Sequence, residues 1–199
     1  MQKSVIVKNI LFIAALAAFI AAAVILYRVL VKTDTDQTMS DSSVISSAAR
    51  VQELAVSTAP DFSVQDAEGN SVRFADLVGK ATVINFWASW CGPCQSEMYD
   101  FEAVYQEFGD EVQFMMINLT DGSRETKENA ADYIEKHNLT FPVYYDPDGS
   151  AAKAYTVTSV PKTYFIDAEG NLWAEIFGAT NSSTLEDTIQ KYLLKTAED

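Results

Sequence analysis

The chain has 199 residues, of which 48% are hydrophobic and 21% charged, a length that fits one ordinary globular domain with additional segments. Its formal net charge of −14 disfavours nucleic acids and anionic lipid surfaces as partners. The charge is uneven. Residues 1–32 carry four basic residues and no acidic one, whereas residues 57–199 carry 24 acidic against 9 basic residues.

An unbroken apolar run of 18 residues covers 10–27, and three more apolar residues follow at 29–31. As a helix the 18 residues span roughly 27 Å, close to the ~30 Å of bilayer hydrocarbon. A cleaved signal peptide is the alternative, because Ala21, Ala22 and Ala23 are small. However, no small-residue site lies at the polar edge of the run. We therefore predict a short N-terminal segment over 1–9 and a transmembrane anchor over 10–31.

Residues 32–56 are rich in Ser, Thr, Asp and Ala, contain no aromatic residue and show no sustained hydrophobic period. This composition is typical of a flexible linker. About 24 flexible residues give a typical reach of roughly 25–30 Å. We place the folded domain over 57–199.

The domain alternates strand and helix patterns. The runs at 81–87 and 112–119 are almost continuously apolar, which is typical of strands covered on both faces. The order of patterns predicts an α/β fold, with a mixed central sheet and helices on both faces. The other predicted elements are a hairpin over 61–74, helices over 126–137 and near 150–155, a strand over 141–145, a hairpin over 163–177 and a closing helix over 183–194.

The first central strand leads into Trp90-Cys91-Gly92-Pro93-Cys94, and a helix pattern follows at once, with apolar residues at Met98, Phe101, Tyr105 and Phe108. This order predicts Cys91 at the helix N-cap and Cys94 at the third helical position. A sulfur at an N-cap faces the unpaired N–H groups and the positive end of the helix dipole. Such sites lower cysteine pKa values to roughly 3.5–7.5, from about 8.5.

Two cysteines separated by two residues lie within bonding reach, so Cys91 can attack a disulfide and Cys94 can resolve the intermediate. Half of a zinc site is the alternative interpretation. A structural zinc needs four ligands, and the chain has only these two cysteines and one histidine, His137, which we expect to be solvent-exposed at a helix end. We predict redox chemistry through a Cys91–Cys94 disulfide, with no metal and no other cofactor.

The stretch Phe-Trp-Ala-Ser-Trp-Cys-Gly-Pro-Cys closely resembles the active site of the thioredoxin superfamily, and the continuation Gln-Ser-Glu-Met resembles its membrane-anchored TlpA/ResA branch. The resemblance covers roughly 59–194. It implies a thioredoxin fold with an N-terminal hairpin and a helix–strand insertion over 126–145. It also implies a single-pass anchor in the cell membrane, with the catalytic domain on the extracytoplasmic side.

The resemblance assigns further site residues. Val160-Pro161 matches the cis proline that lies opposite the disulfide in the superfamily, although a proline before a strand is by itself an ordinary loop residue. The backbone of Val160 would then pair with an extended substrate segment. Trp90, Gly92 and Pro93 flank the nucleophile and are the expected substrate contacts, although surface packing beside Cys91 is the alternative for Trp90. We expect Trp87 in the core.

Glu97 lies three residues after Cys94, so the two side chains share one side of the helix. A carboxyl group near the disulfide should be poorly hydrated and have a raised pKa, and would accept the proton of Cys94. A solvent-facing glutamate is the alternative. Asn85 stands where thioredoxin proper has an acid, which shifts the proton-handling role to Glu97.

The resemblance implies a thiol-disulfide oxidoreductase that reduces protein disulfides. Its clients would be apocytochromes, as in cytochrome c-type biogenesis, or another redox protein, and a membrane thiol-electron transporter would supply electrons. The first alternative is an oxidant of the same fold that inserts disulfides. A copper metallochaperone of the thioredoxin fold is a further alternative, but such proteins have a more widely spaced cysteine pair and a dedicated histidine, which this sequence lacks. A peroxidase fits less well again, because its reactive cysteine follows a threonine-containing loop and not Trp-Cys-Gly-Pro-Cys.

Overall fold

The computed structural model describes residues 50–194. The predicted segment over 1–9, the anchor over 10–31 and most of the linker over 32–56 lie outside these residues. Within residues 50–194, none of the helices has the length and apolar character needed to cross a bilayer.

A mixed sheet forms the centre of the described part of the chain. Its strand order is β1-β8-β7-β4-β5-β6-β2-β3. The pairs β4–β5 and β5–β6 are parallel, and the remaining pairs are antiparallel. The strands are β1 Arg50–Thr58, β2 Ser63–Gln65, β3 Ser71–Arg73, β4 Thr82–Trp87, β5 Gln113–Asn118, β6 Val143–Tyr145, β7 Lys162–Ile166 and β8 Asn171–Phe177.

Helices cover both faces of the sheet, as expected, although unevenly. The helices are α1 Gly92–Phe108, α2 Lys127–Lys136, α3 Ser150–Ala154 and α4 Ser182–Tyr192, with a 3-10 helix at Phe74–Leu77. Helices α1, α2 and α4 contribute to the hydrophobic cluster on one face. The short α3 and the 3-10 helix contribute to the cluster on the other face.

Helix α1 packs through the predicted apolar side. Met98, Phe101 and Phe108 are buried, and Val104 joins them although the sequence analysis did not include it. Tyr105 is half-buried, with its ring 5.5 Å from that of Phe114 on β5. Each fully buried side chain of this size contributes roughly 1.5–3 kcal/mol to the stability of the fold. The buried side of α1 therefore holds the helix, and the motif at its start, on the sheet.

Strand β4 carries the active-site motif into place. All six of its residues are buried. Side chains alternate across a strand, so Val83, Asn85 and Trp87 face α1 while Ile84 and Phe86 enter the opposite cluster. Asn85 is thereby directed under the start of α1.

The structure corrects the predicted linker boundary. Residues 50–56, assigned to the linker, belong to β1, which pairs antiparallel with β8 from Arg50↔Phe177 to Thr58↔Asn171. The side chains of β1 are exposed, with only Leu54 half-buried. No alternating apolar pattern marks this strand, because backbone pairing with β8, and not a buried face, holds it.

The predicted helix–strand insertion is present as α2 and β6. Strand β6 pairs parallel with β5, and the predicted N-terminal hairpin, β2–β3, continues the sheet through a single pairing of Gln65 with Tyr145. Ala130 on α2 is buried, and Tyr133 and Ile134 pack half-buried against the same hydrophobic cluster. The observed architecture is the expected α/β fold.

Candidate active site

Cys91 and Cys94 form a disulfide at the start of α1, with their Cα atoms 5.2 Å apart. Cys91 is the N-cap residue, and its Sγ accepts a hydrogen bond from the Cys94 backbone N–H at 3.2 Å. Pro93 lies in the first turn, where its missing N–H costs nothing. The predicted positions are confirmed. Cys91 is 4% exposed and Cys94 is fully buried, so only Cys91 of the two has solvent-accessible surface.

The peptide bond between Val160 and Pro161 is cis, as the resemblance implied. The Val160 carbonyl oxygen lies 3.7 Å from Cys91 Sγ. In the disulfide this sulfur carries no hydrogen, so the contact becomes a possible hydrogen bond only in the thiol form. The structure thus brings Val160 and Cys91 together across 69 residues of sequence.

The expected substrate contacts are accessible. Trp90, Gly92 and Pro93 are exposed on either side of Cys91 in the chain, and Val160 is half-buried. Trp90 is 42% exposed, a large fraction for an indole ring. Trp87, by contrast, is fully buried, as predicted.

Glu97 is fully buried, so the solvent-facing alternative was wrong. Its Oε1 accepts a hydrogen bond from Asn85 Nδ2 at 2.9 Å, and its Oε2 accepts one from the Thr180 backbone N–H at 2.9 Å. Desolvation by burial raises the pKa of Glu97 to about 8, against the lowering effect of these two hydrogen bonds. The nearby charge of Asp100 raises it further. Glu97 therefore holds its proton at neutral pH in the oxidised protein.

Asn85 joins Glu97 to the strand that follows Pro161. Its Nδ2 also donates to Thr163 Oγ1 at 3.1 Å, while its Oδ1 is buried without a hydrogen-bond partner among the described residues. A neutral carboxyl group carries a hydrogen that needs an acceptor. Rotation of the Asn85 amide would present Oδ1 to it. The buried group of Asn85 and Glu97 thus has one unused hydrogen-bond acceptor, Asn85 Oδ1.

A buried carboxylate that the sequence analysis missed supports the active-site loop. Glu125 is 1% exposed and accepts three hydrogen bonds, from Ser89 N at 2.9 Å, Ser89 Oγ at 2.8 Å and Asn118 Nδ2 at 2.7 Å. It thereby ties the segment before Cys91 to the end of β5. This fixes the approach to the nucleophile.

The sequence did contain a usable signal for Glu125. Strands β4 and β5 are parallel, and Trp87 pairs with Asn118 at their ends. Segments that follow neighbouring parallel strands leave the sheet at the same edge. Polar residues soon after β5 were therefore candidates for contacts with the segment after β4.

Arg124, the neighbour of Glu125, lies against Trp90. Its Cζ is 3.4 Å from the centroid of the indole ring, the geometry of a cation–π stack. Asp121 orders this turn, since its Oδ1 accepts the backbone N–H groups of Ser123, Arg124 and Glu125. These hydrogen bonds to the charged form hold the pKa of Asp121 below its usual range.

His137 is half-buried, contrary to the exposed position expected for it. Its ring stacks on Tyr133 with a centroid distance of 4.3 Å, and its Nδ1 lies 2.8 Å from the hydroxyl of Tyr99. Within residues 50–194, no three His, Cys, Asp or Glu side chains are grouped closely enough to hold a metal ion.

Comparisons with known proteins agree on one family for this chain. The model of the AhpC/TSA family matches residues 56–174. Thioredoxin-like protein YneN of Bacillus subtilis is 37% identical over 112 residues, which cover 56% of this chain and, at 65%, just under two thirds of that protein. Thiol-disulfide oxidoreductase ResA of Bacillus thuringiensis subsp. konkukian is 31% identical over 134 residues, which cover 67% of this chain and 75% of that one.

A solved structure agrees with both relatives. A putative thiol:disulfide interchange protein DsbE from Chlorobium tepidum superposes with a TM-score of 0.58 at 28% sequence identity. The superposition covers 70% of this chain and 98% of that structure. From these matches and the disulfide at the start of α1, the chain belongs to the AhpC/TSA family within the thioredoxin superfamily and is a thiol-disulfide oxidoreductase.

Proposed function

We propose that the protein reduces disulfides of protein clients through its Cys91–Cys94 dithiol. The observation that carries this proposal is the position of Cys91 Sγ, which lies at the N-cap of α1 and 3.7 Å from the Val160 carbonyl. The N-cap stabilises a thiolate, and the Val160 backbone offers an extended client segment a place to pair.

The reaction proceeds in two exchanges. The Cys91 thiolate attacks one client sulfur, the client S–S bond breaks, and the released client thiolate takes a proton from solvent. Glu97 in its ionised form then takes the proton of Cys94, and Cys94 attacks Cys91 Sγ. The bond between Cys91 and the client breaks, the second client sulfur leaves as a thiolate that takes a proton from solvent, and the Cys91–Cys94 disulfide forms. In the oxidised product Glu97 holds the proton taken from Cys94. Two electrons pass from the protein to the client.

Glu97 suits the second exchange. Its pKa of about 8 lies near the value of about 8.5 for a free thiol, so the proton moves between groups of similar affinity. The fully buried Cys94 has no access to bulk water as a base. Asn85 and the Thr180 backbone hold the carboxyl group in place.

Glu97→Gln tests this role. Without the base, Cys94 should resolve the mixed disulfide about a hundredfold more slowly, the low end of the usual 10²–10⁴-fold effect of a general base. Stopped-flow measurement of client release at pH 7 gives the rate. Unchanged release would remove Glu97 from the mechanism.

The proposed setting is the cell membrane, with an anchor over 10–31 and the domain on the extracytoplasmic side. The proposed clients are apocytochrome cysteines or another redox protein, and a membrane thiol-electron transporter returns electrons to Cys91 and Cys94. The relatives named thiol-disulfide oxidoreductase and thiol:disulfide interchange protein support this class of chemistry. An oxidant of the same fold is the alternative, since the reduction potential of the cysteine pair decides whether it reduces or oxidises a client.

Client trapping in the source cell tests the proposal. Cys94→Ser should accumulate mixed disulfides through Cys91, visible as adducts on a non-reducing gel and identifiable by mass spectrometry. Cys91→Ser is the control and should form none. Clients that become oxidised when the protein is removed support the reductase, and clients that become reduced support the oxidant. Equal adduct formation by both variants would contradict the assignment.

A further inference from the structure

The stacked pair of Arg124 and Trp90 stands beside the nucleophile and takes no part in the reaction described above. Trp90 directly precedes Cys91 and is 42% exposed. The Arg124 guanidinium covers one face of its ring at 3.4 Å. A guanidinium stacked in this way keeps its N–H edges directed outward, where they match the two oxygens of a carboxylate.

Hydrogen bonds hold the backbone on both sides of the contact, at Arg124 and next to Trp90. Asp121 fixes the backbone at Arg124, and Gly122 N–H donates to the Glu125 carbonyl at 3.0 Å. The Glu125 side chain binds Ser89, the residue before Trp90. Because both members are already held in place, little conformational entropy is lost when a ligand binds the guanidinium.

Arg124 is an exposed cation in an acidic domain. Residues 57–199 carry 24 acidic against 9 basic residues. Within residues 50–194 the ion pairs are Arg73–Asp61, Lys162–Glu175 and Lys191–Glu53, and Arg124 has no carboxylate within 4.0 Å. An exposed cation that forms no ion pair within residues 50–194 therefore contacts Trp90, the residue before Cys91.

We propose that Arg124, stacked on Trp90, binds a carboxylate of the client close to the disulfide that Cys91 attacks. The proposal rests on the proposed reduction of protein disulfides and adds a preference for acidic residues beside the client cysteine. The overall negative charge of the domain favours the opposite preference, but interactions between exposed charges are largely screened beyond about 8 Å at physiological ionic strength. The short contact between the Arg124 guanidinium and the client carboxylate therefore sets the preference, and the more distant acidic residues do not.

The test uses the reduced full-length protein and two peptides, each with one intramolecular disulfide. The peptides differ only in the residues beside the disulfide, Asp and Glu in one and Asn and Gln in the other. The second-order rate constant of reduction should be up to about fivefold higher for the acidic peptide, the range found for ion pairs between exposed groups. The preference should shrink as salt is added.

Three variants separate recognition from packing. Arg124→Gln should abolish the preference, because the rate falls further for the acidic peptide than for the amide peptide. Arg124→Lys keeps the charge without the planar fork and should retain part of the preference. Lys153→Gln is the matched control, because it removes an exposed cation from α3, on the opposite face of the sheet, and should leave the preference intact.

The outcomes are distinct. Equal rates for the two peptides with wild-type protein, or a preference that survives in Arg124→Gln, would overturn the recognition proposal alone. Equal slowing of both peptides by Arg124→Gln would show a packing role and overturn it as well. Failure of the wild-type protein to reduce either peptide would overturn the proposed function.

Discussion

Burial gives Glu97 a different acid–base behaviour from an ordinary glutamate. In the folded, oxidised protein its pKa is about 8, against 4.5 for the unperturbed group. Below pH 4.5 the carboxyl group is neutral in both the folded and the unfolded chain. As the pH rises from 4.5 to 8, the unfolded chain gains an ionised glutamate that the folded protein disfavours. Stability is therefore lost across this window and levels off above pH 8.

This linkage predicts a pH-dependent stability difference between wild type and Glu97→Gln. Over about 3.5 pH units at about 1.4 kcal/mol each, the wild-type protein should lose on the order of 5 kcal/mol relative to the variant. Urea unfolding of the oxidised proteins from pH 4 to 9 measures it. Glu107→Gln, on the exposed side of α1, is the matched control and should follow wild type. A constant difference for Glu97→Gln would contradict the raised pKa.

The two cysteines should differ in reactivity. Cys91 is slightly exposed and lies at the N-cap, whereas Cys94 is fully buried. Iodoacetamide should therefore label the reduced protein at Cys91 well before Cys94 near neutral pH, as peptide mass spectrometry over time would show. Cys91→Ser should abolish insulin reduction. Preferential labelling of Cys94 would reverse the assignment of nucleophile and resolving cysteine.

The segment after β5 acts as a support for the active-site loop after β4. Glu125 supplies it with three buried hydrogen bonds to Ser89 and Asn118. Truncation leaves these donors without an acceptor, and each unsatisfied buried group costs about 1–3 kcal/mol. The segments that follow β4 and β5 therefore hold each other in place.

Glu125→Ala should lower the free energy of unfolding by on the order of 3 kcal/mol and slow the attack of Cys91, because Ser89 loses its anchor. Chemical unfolding and insulin reduction measure the two effects. Glu135→Ala, on the exposed side of α2, should change neither. Wild-type stability in Glu125→Ala would show that the loop is held by other contacts.

Residues 10–31 are predicted to anchor the protein in the membrane. Full-length protein should remain with membranes through a high-salt or carbonate wash, because an 18-residue apolar run matches the bilayer core. Fractionation followed by immunoblotting checks this. Release of a mature form that starts near Val24 would support the cleaved signal peptide instead.

Several features followed from the sequence alone because their causes are local. The positions of Cys91, Pro93 and Cys94 at the start of α1 follow from helix capping and the spacing of apolar residues. The nearly continuous apolar runs located β4 and β5, since both strands are covered on both faces. The cis bond before Pro161 has no such local cause and was implied only by the family resemblance.

The remaining features depend on contacts between distant residues, which leave no periodic pattern. Strand β1 exists because β8 pairs with it, and its exposed side chains gave no signal. The raised pKa of Glu97 depends on how completely the fold excludes water, with the Thr180 N–H arriving from 83 residues away. Arg124 meets Trp90 only because β4 and β5 run parallel and end at the same edge of the sheet. The sequence determined the chemistry of the two sulfurs, and the tertiary structure decided what surrounds them, because burial and charge at a site are set by neighbours that the chain brings together only on folding.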